Sequence, residues 1–180
     1  MSPAFAKLSA LEVSTCQAFN QVNRMRFWGR MFAAISRVGD GWIWYCLILT
    51  LPLWGGWQAV RVSCLMAVGG LLCTWLYKWI KGKTRRPRPS EVEASLQLTV
   101  APLDRFSFPS GHTLHAVMFT IVASWYLHPL AWVLVPLTVL VALSRLVLGL
   151  HYPSDVLVGG VIGGIMGAAT IGVGVALKVF

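Results

Sequence analysis

Five apolar stretches, each near the length of a bilayer's hydrocarbon core, limit what this chain can become. They run over residues 42–57, 60–80, 113–127, 130–150 and 153–179. A helix needs roughly 20 apolar residues to cross that core. No water is present there to satisfy peptide groups, so each segment must pair its own backbone polar groups internally. The stretches therefore read as helices. The expected fold is an all-α polytopic membrane bundle of about five transmembrane helices, with a sixth crossing as the alternative. The first and third stretches are short and need turns from flanking residues, while Pro52 and Pro136 read as kinks.

The balance of residues supports this class. Hydrophobic residues make up 57% and charged residues 12% of the 180, and that charged share is about half that of a soluble domain. The length suits one domain. A net charge of +9 raises nucleic acid as a partner. The basic residues lie between apolar segments instead of along a soluble face, so anionic head groups or a phosphate substrate fit better. No cleavable signal peptide is expected, because the first thirty residues lack a compact apolar core and a small-residue cleavage site. Cys16, Cys46, Cys64 and Cys73 show no metal-ligand spacing. Three of them fall in apolar segments and read as small hydrophobes, without a zinc site or disulfide framework.

Residues 1–40 differ from the rest. Phe5, Leu8, Leu11, Thr15, Phe19, Val22, Arg26 and Phe27 recur at helical spacing, with Lys7, Arg24, Arg30 and Arg37 scattered among them. This pattern suits one or two amphipathic helices on the membrane surface. A crossing here would carry Gln17, Asn20, Gln21, Asn23 and Arg24 into hydrocarbon. The expected division is an interfacial segment over 1–40 and a single transmembrane domain over 41–180.

Three polar clusters interrupt the apolar chain. The first reads K-G-K-T-R-R-P-R-P from Lys81 to Pro89; the second is Pro109-Ser110-Gly111-His112; the third holds Ser144, Arg145, His151 and Asp155. Helix parity brings them together. The second crossing ends at the first cluster, the third opens at the second, and the fourth returns carrying Arg145 to the turn before the fifth. One membrane face thus receives all three. The loop from about Lys81 to Ser110 is long, as functional loops often are.

Together these groups can hold and transfer a phosphoryl group. Lys81, Arg88 and Arg145 can bind its equatorial oxygens, arginine by its fork and lysine as a point charge. Ser110 and Gly111 open a helix whose free N–H groups favour an anion. His112 can donate a proton to the departing alkoxide. His151 is the candidate nucleophile, and Asp155, one helical turn on, can hold its ring in the right tautomer. Pro153 suits the first position of the last helix. Phosphohistidine would form and then hydrolyse. Three cations supply the electrostatic stabilisation, so no metal or other cofactor is expected. Bland readings exist for each residue alone, as membrane anchors, a structural histidine or an ion pair. They do not explain all the spacings on one face. His115 is left as a pocket-lining residue and His128 as a loop cap on the far side. Gly159, Gly160, Gly163, Gly164 and Gly167 form small-residue ladders, read as packing inside the bundle.

The motifs Lys81-x6-Arg88-Pro89, Pro109-Ser110-Gly111-His112 and Ser144-Arg145-x5-His151-x3-Asp155 resemble those of the type-2 phosphatidic acid phosphatase superfamily, the lipid phosphatase/haloperoxidase group. The resemblance implies phosphate binding by Lys81, Arg88, Ser110, Gly111 and Arg145. It also implies His112 as general acid, His151 as nucleophile, Asp155 as its partner and a helical core without metal. Family members often have six crossings, one more than the five counted here. Soluble vanadate haloperoxidases share the pocket but lack apolar crossings. The expected activity is hydrolysis of a terminal phosphate or diphosphate on a lipid. Undecaprenyl diphosphate, phosphatidylglycerol phosphate, phosphatidic acid and a phosphorylated polyprenyl-sugar are the candidates. The alternative from another class is a non-catalytic membrane scaffold or transporter that retains a phosphate pocket. Expected partners are the lipid phosphate and the bilayer, with no nucleic acid, in a monomer or weak homodimer. A bacterial-type inner membrane is the expected location. With five crossings, 13 of the 15 Lys and Arg fall on the site's side, which places it on the cytoplasmic face, the periplasmic face being the alternative.

Overall fold

The computed structural model describes residues 3–180, with side chains from Lys7 onward except that of Leu8. Phe5 and Leu8 of the N-terminal apolar pattern therefore lie outside the described side chains. Seven α-helices follow in order: α1 (Pro3–Arg24), α2 (Arg26–Val38), α3 (Trp42–Thr84), α4 (Pro89–Val92), α5 (Gly111–Tyr126), α6 (Ala131–Val147) and α7 (Pro153–Ala176), with a 3-10 turn at His128–Leu130. No strand occurs among the described residues.

The first two apolar stretches both lie in α3. A straight helix of 43 residues would be about 65 Å long, twice a bilayer core. At Gly56 the backbone turns to φ 59°, ψ −146°, a conformation essentially reserved for glycine. The chain folds back there. Trp44, before the break, stacks on Phe119 of α5 with ring centroids 5.4 Å apart. Gly70, after it, faces the same ring so closely that a Cβ would sit 2.7 Å from Phe119 Cζ. Two points far apart in α3 thus share one level of the bundle, and the helix is a hairpin.

Its second half continues through Lys81 to Thr84, past the expected end at Ile80. Arg85 then caps it in the left-handed region, its N–H reaching Lys81 O at 3.0 Å. Lys81 accordingly stands on rigid helix, with its side chain held against the bundle.

Helix α5 has only 16 residues, short for a crossing. It packs against α3, α6 and α7, so much of its surface is covered by protein. Three longer stretches, Trp42–Val92, His128–Val147 and Pro153–Ala176, have the length and apolarity to cross a membrane. Large apolar side chains such as Trp54, Trp57, Trp132, Leu49, Leu53 and Leu71 point outward, as lipid-facing surface requires. Helix α7 approaches α5 closely along Gly159, Gly163 and Gly167. A Cβ at Gly163 would lie 2.4 Å from Leu114 O, and one at Gly159 2.6 Å from Ser110 O. Gly164 faces open space. One side of the glycine ladder therefore serves packing within the bundle.

The N-terminal helices press on the end of the bundle that carries the polar clusters. α2 packs on α6, and α1 on α2, α6 and α7. The polar residues of α1 do much of the joining. Asn20 Nδ2 donates to Val147 O at 2.9 Å and Gln97 O at 3.0 Å, and Asn20 Oδ1 accepts from Gln97 N at 2.7 Å. Asn23 Nδ2 donates to Gln97 O at 2.7 Å. Cys16, Asn20 and Asn23 are buried, whereas Leu11 and Phe27 of the apolar pattern are exposed. The packed face of α1 is thus more polar than its periodicity implied. At the opposite end, Arg61 donates to Leu177 O and Lys178 O at 2.9 and 2.7 Å.

Candidate active site

The three clusters meet at one end of the bundle. Lys81 and Arg88 come from the end of α3 and the start of α4, His112 from the first turn of α5, Arg145 from the last turn of α6, and His151 from the turn before α7. With Gly111 these residues line a single cavity of about 640 Å³. An apolar part of its wall, from Trp44, Ile48, Leu71 and Phe119, runs between the halves of α3 toward α5. Ser110 and Asp155 stand behind the lining, both fully buried. Ser110 turns its hydroxyl to Thr113 Oγ1 at 3.0 Å, and its N–H bonds Asp155 O at 3.0 Å.

His151 is 1% exposed. Burial, and then the charges of Arg145, Arg88 and Lys81, hold its imidazole well below the usual histidine range, which favours the neutral ring. Its Nε2 lies 3.4 Å from Arg88 Nη1. A guanidinium can only donate, so Nε2 accepts and the proton sits on Nδ1. That nitrogen faces Asp155 Oδ2 at 3.5 Å, at the outer limit of a hydrogen bond, and has no closer partner among the described residues. Asp155 is anchored elsewhere: Oδ2 accepts Tyr152 N at 2.9 Å, capping α7, and Oδ1 accepts Arg86 Nη1 at 2.8 Å.

The cations differ in how fully they are used. Lys81 Nζ meets Asp104 Oδ1 and Oδ2 at 2.8 and 2.9 Å and Phe106 O at 2.8 Å, which accounts for all three of its hydrogens. Arg88 donates to the Asp104 carboxylate at 2.6 Å, to Asp104 O through Nε and Nη2, and to Leu150 O at 2.6 Å. Arg145 is buried. Its Nη1 bonds Ser36 of α2, and its Nε has no partner among the described residues. His112 Nε2 lies 2.6 Å from Asp40 Oδ1, in the α2–α3 turn.

His115 lines the cavity, bonded to Gly111 O at 2.8 Å through Nδ1. His128 is exposed in the turn between α5 and α6, at the far end. The four cysteines are free, and burial pushes the Cys16 thiol up to about 12. No group of three or more possible metal ligands occurs among the described residues.

Sequence reasoning missed Glu12, Ser36, Asp40, Arg86 and Asp104. One signal was available. The chain has six acidic residues, and Glu12, Asp40, Asp104 and Asp155 all contact site cations or histidines. In so apolar a chain a carboxylate needs a partner, and these four found theirs here.

Comparison with known proteins matches residues 58–177 to the model of the PAP2 superfamily. The chain is 38% identical over 96 residues to a decaprenylphosphoryl-5-phosphoribose phosphatase from Mycobacterium tuberculosis, covering 53% of this chain and 51% of that protein. It is 42% identical over 81 residues to the protein of the same name from Mycolicibacterium smegmatis, covering 44% and 42%. The chain spans about half the length of the curated relatives it matches. In structure it is similar to a transmembrane PAP2-type phosphatidylglycerolphosphate phosphatase from Bacillus subtilis. The TM-score is 0.72 at 22% identity, covering 92% of this chain and 85% of that one. LpxE from Aquifex aeolicus gives 0.67 at 26% identity, covering 86% and 92%.

Proposed function

The chain belongs to the PAP2 superfamily, and from that premise we propose that it is an integral membrane lipid phosphatase working through a phosphohistidine. The observation that carries the reading is the buried His151, its Nε2 3.4 Å from Arg88 Nη1, at the charged end of a cavity that is lined farther in by Trp44, Ile48, Leu71 and Phe119. Such a cavity suits a phosphate joined to a long apolar tail. A scaffold or transporter would not need a neutral, tautomerically defined imidazole there.

In this mechanism Nε2 attacks phosphorus and the bond from phosphorus to the leaving oxygen breaks. His112, held by Asp40, gives that oxygen its proton. A water molecule then loses a proton to His112 and attacks the phosphohistidine. The P–N bond breaks, releasing inorganic phosphate and restoring both histidines. Lys81, Arg88 and Arg145, with the N–H of Gly111 at the start of α5, offset the charge on the equatorial oxygens, while Ser110 fixes that helix start behind them through its N–H to Asp155 O.

The names of the mycobacterial relatives favour a phosphorylated polyprenyl-sugar among the candidates. A panel of that lipid, undecaprenyl diphosphate, phosphatidylglycerol phosphate and phosphatidic acid, assayed for released phosphate in excess chelator, tests the reading. Turnover of at least one lipid is expected to persist with chelator present, since side chains supply the positive charge. Strict dependence on a divalent cation would overturn the histidine route.

The site is proposed to face the cytoplasm. The N-terminal helices with their five basic residues, Lys7, Arg24, Arg26, Arg30 and Arg37, press on the site's end, while Arg61 and Lys178 meet at the other. A reporter active only in the periplasm, fused after Phe180, should then be active. A silent fusion paired with an active cytoplasmic reporter would reverse the orientation.

A further inference from the structure

Arg86 lies in the basic run but takes no part in the chemistry above. Its surroundings are unusual for a membrane-flanking arginine. Nη1 donates to Asp155 Oδ1 at 2.8 Å and to Ser154 Oγ at 2.7 Å. Nη2 pairs with Glu12 Oε2 of α1, and the guanidinium lies 3.9 Å from the centroid of the Tyr152 ring. One planar group thus spans two carboxylates, stacks on the residue after His151 and joins α1 to the first turn of α7. Helix α1 also reaches the nucleophile's own backbone, with Cys16 Sγ 3.8 Å from His151 O.

We propose that Arg86, held by Glu12 of the N-terminal helix, is the positioning residue that keeps Asp155 aimed at His151. Asp155 is fully buried, and its 3.5 Å separation from His151 Nδ1 is too long to fix the carboxylate by that contact. Arg86 and Tyr152 N fix it instead. Without Arg86, a buried carboxylate loses its countercharge, the arrangement a protein tolerates least. Glu12 and Asp155 would also face one another with no cation between them. The carboxylate then turns or takes a proton, and the Nδ1–H tautomer that leaves Nε2 free is no longer favoured. The family model begins at residue 58, so Glu12 lies outside the region it describes. The segment before it becomes part of the catalytic apparatus.

The inference rests on the phosphatase reading for its kinetic arm only, so two measurements are paired. The first is the tautomer of His151, read by 15N NMR of the full-length protein in detergent. Wild type should show Nδ1 protonated, and Arg86→Ala a mixture of tautomers, with Arg86→Lys closer to wild type. The second is a double-mutant cycle with Asp155→Asn. Arg86→Ala alone should lower kcat by about 10- to 100-fold, the scale seen when partners orienting a functional imidazole are lost, with KM little changed. In Asp155→Asn protein the same change should add almost nothing, because Arg86 acts through Asp155. Glu12→Gln should lower kcat in the same direction by less. A merely structural strut would give multiplicative losses in both backgrounds and an unchanged tautomer, and either result overturns the proposal. A tautomer that shifts as expected in a protein releasing phosphate from no lipid would uphold the positioning role and reject the phosphatase reading.

Discussion

His151→Ala protein is expected to release phosphate at least about 10⁴-fold more slowly than wild type, the scale of losing a covalent nucleophile. Expression and helix content should be unaffected. The ring is buried in a turn and bonds the bundle only weakly, through contacts of 3.4 and 3.5 Å. Its removal therefore leaves the fold's main contacts intact. Labelling with a 32P-phosphate lipid and acid-labile trapping should detect phosphoprotein in wild type and none in the variant. Turnover within tenfold of wild type in His151→Ala would reject the phosphohistidine mechanism outright.

Arg145→Ala should weaken orthovanadate binding by roughly 10- to 100-fold, the value of one or two charge-assisted hydrogen bonds of about 1.5–3 kcal/mol. Vanadate adopts the five-coordinate geometry of phosphoryl transfer and can bond His151. The structure singles out Arg145 among the three cations. Lys81 and Arg88 spend their donors on Asp104, Phe106 and Leu150, whereas among the described residues Arg145 Nε has no partner and its Nη1 only Ser36. The same logic gives an effect of opposite sign at Asp104. Its carboxylate holds the hydrogens that an incoming anion needs, so Asp104→Asn should bind vanadate more tightly. Titration calorimetry on the purified variants measures both. An Arg145→Ala protein with undiminished vanadate affinity would remove that residue from the phosphate site.

Much of the bundle and the site could be read from sequence because both rest on short-range rules. Helix parity alone brings Lys81, His112 and His151 to one end. The three-residue gap between His151 and Asp155 places them one turn apart, and the Pro153 helix start explains why the histidine stands just outside. The two apolar stretches expected before residue 81 form the two arms of α3. The turn joining them is a single glycine in a conformation that apolarity cannot report.

What escaped the sequence reading has a common character. Glu12, Ser36, Asp40 and Asp104 are partners of Arg86, Arg145, His112 and Lys81 across 74, 109, 72 and 23 residues. No local period or motif records such pairings. Likewise the stripe of α1 looked apolar, yet beside Phe19 and Val22 its packed face carries Asn20 and Asn23, which donate to the carbonyls of Gln97 and Val147. The amino-acid order by itself determined where the long apolar helices form and which end collects the three polar clusters, since hydrophobic burial and backbone pairing act within each segment. Only the tertiary structure decided which carboxylate neutralises which cation. In a low-dielectric interior that choice depends on distances of a few ångströms between segments far apart in the chain.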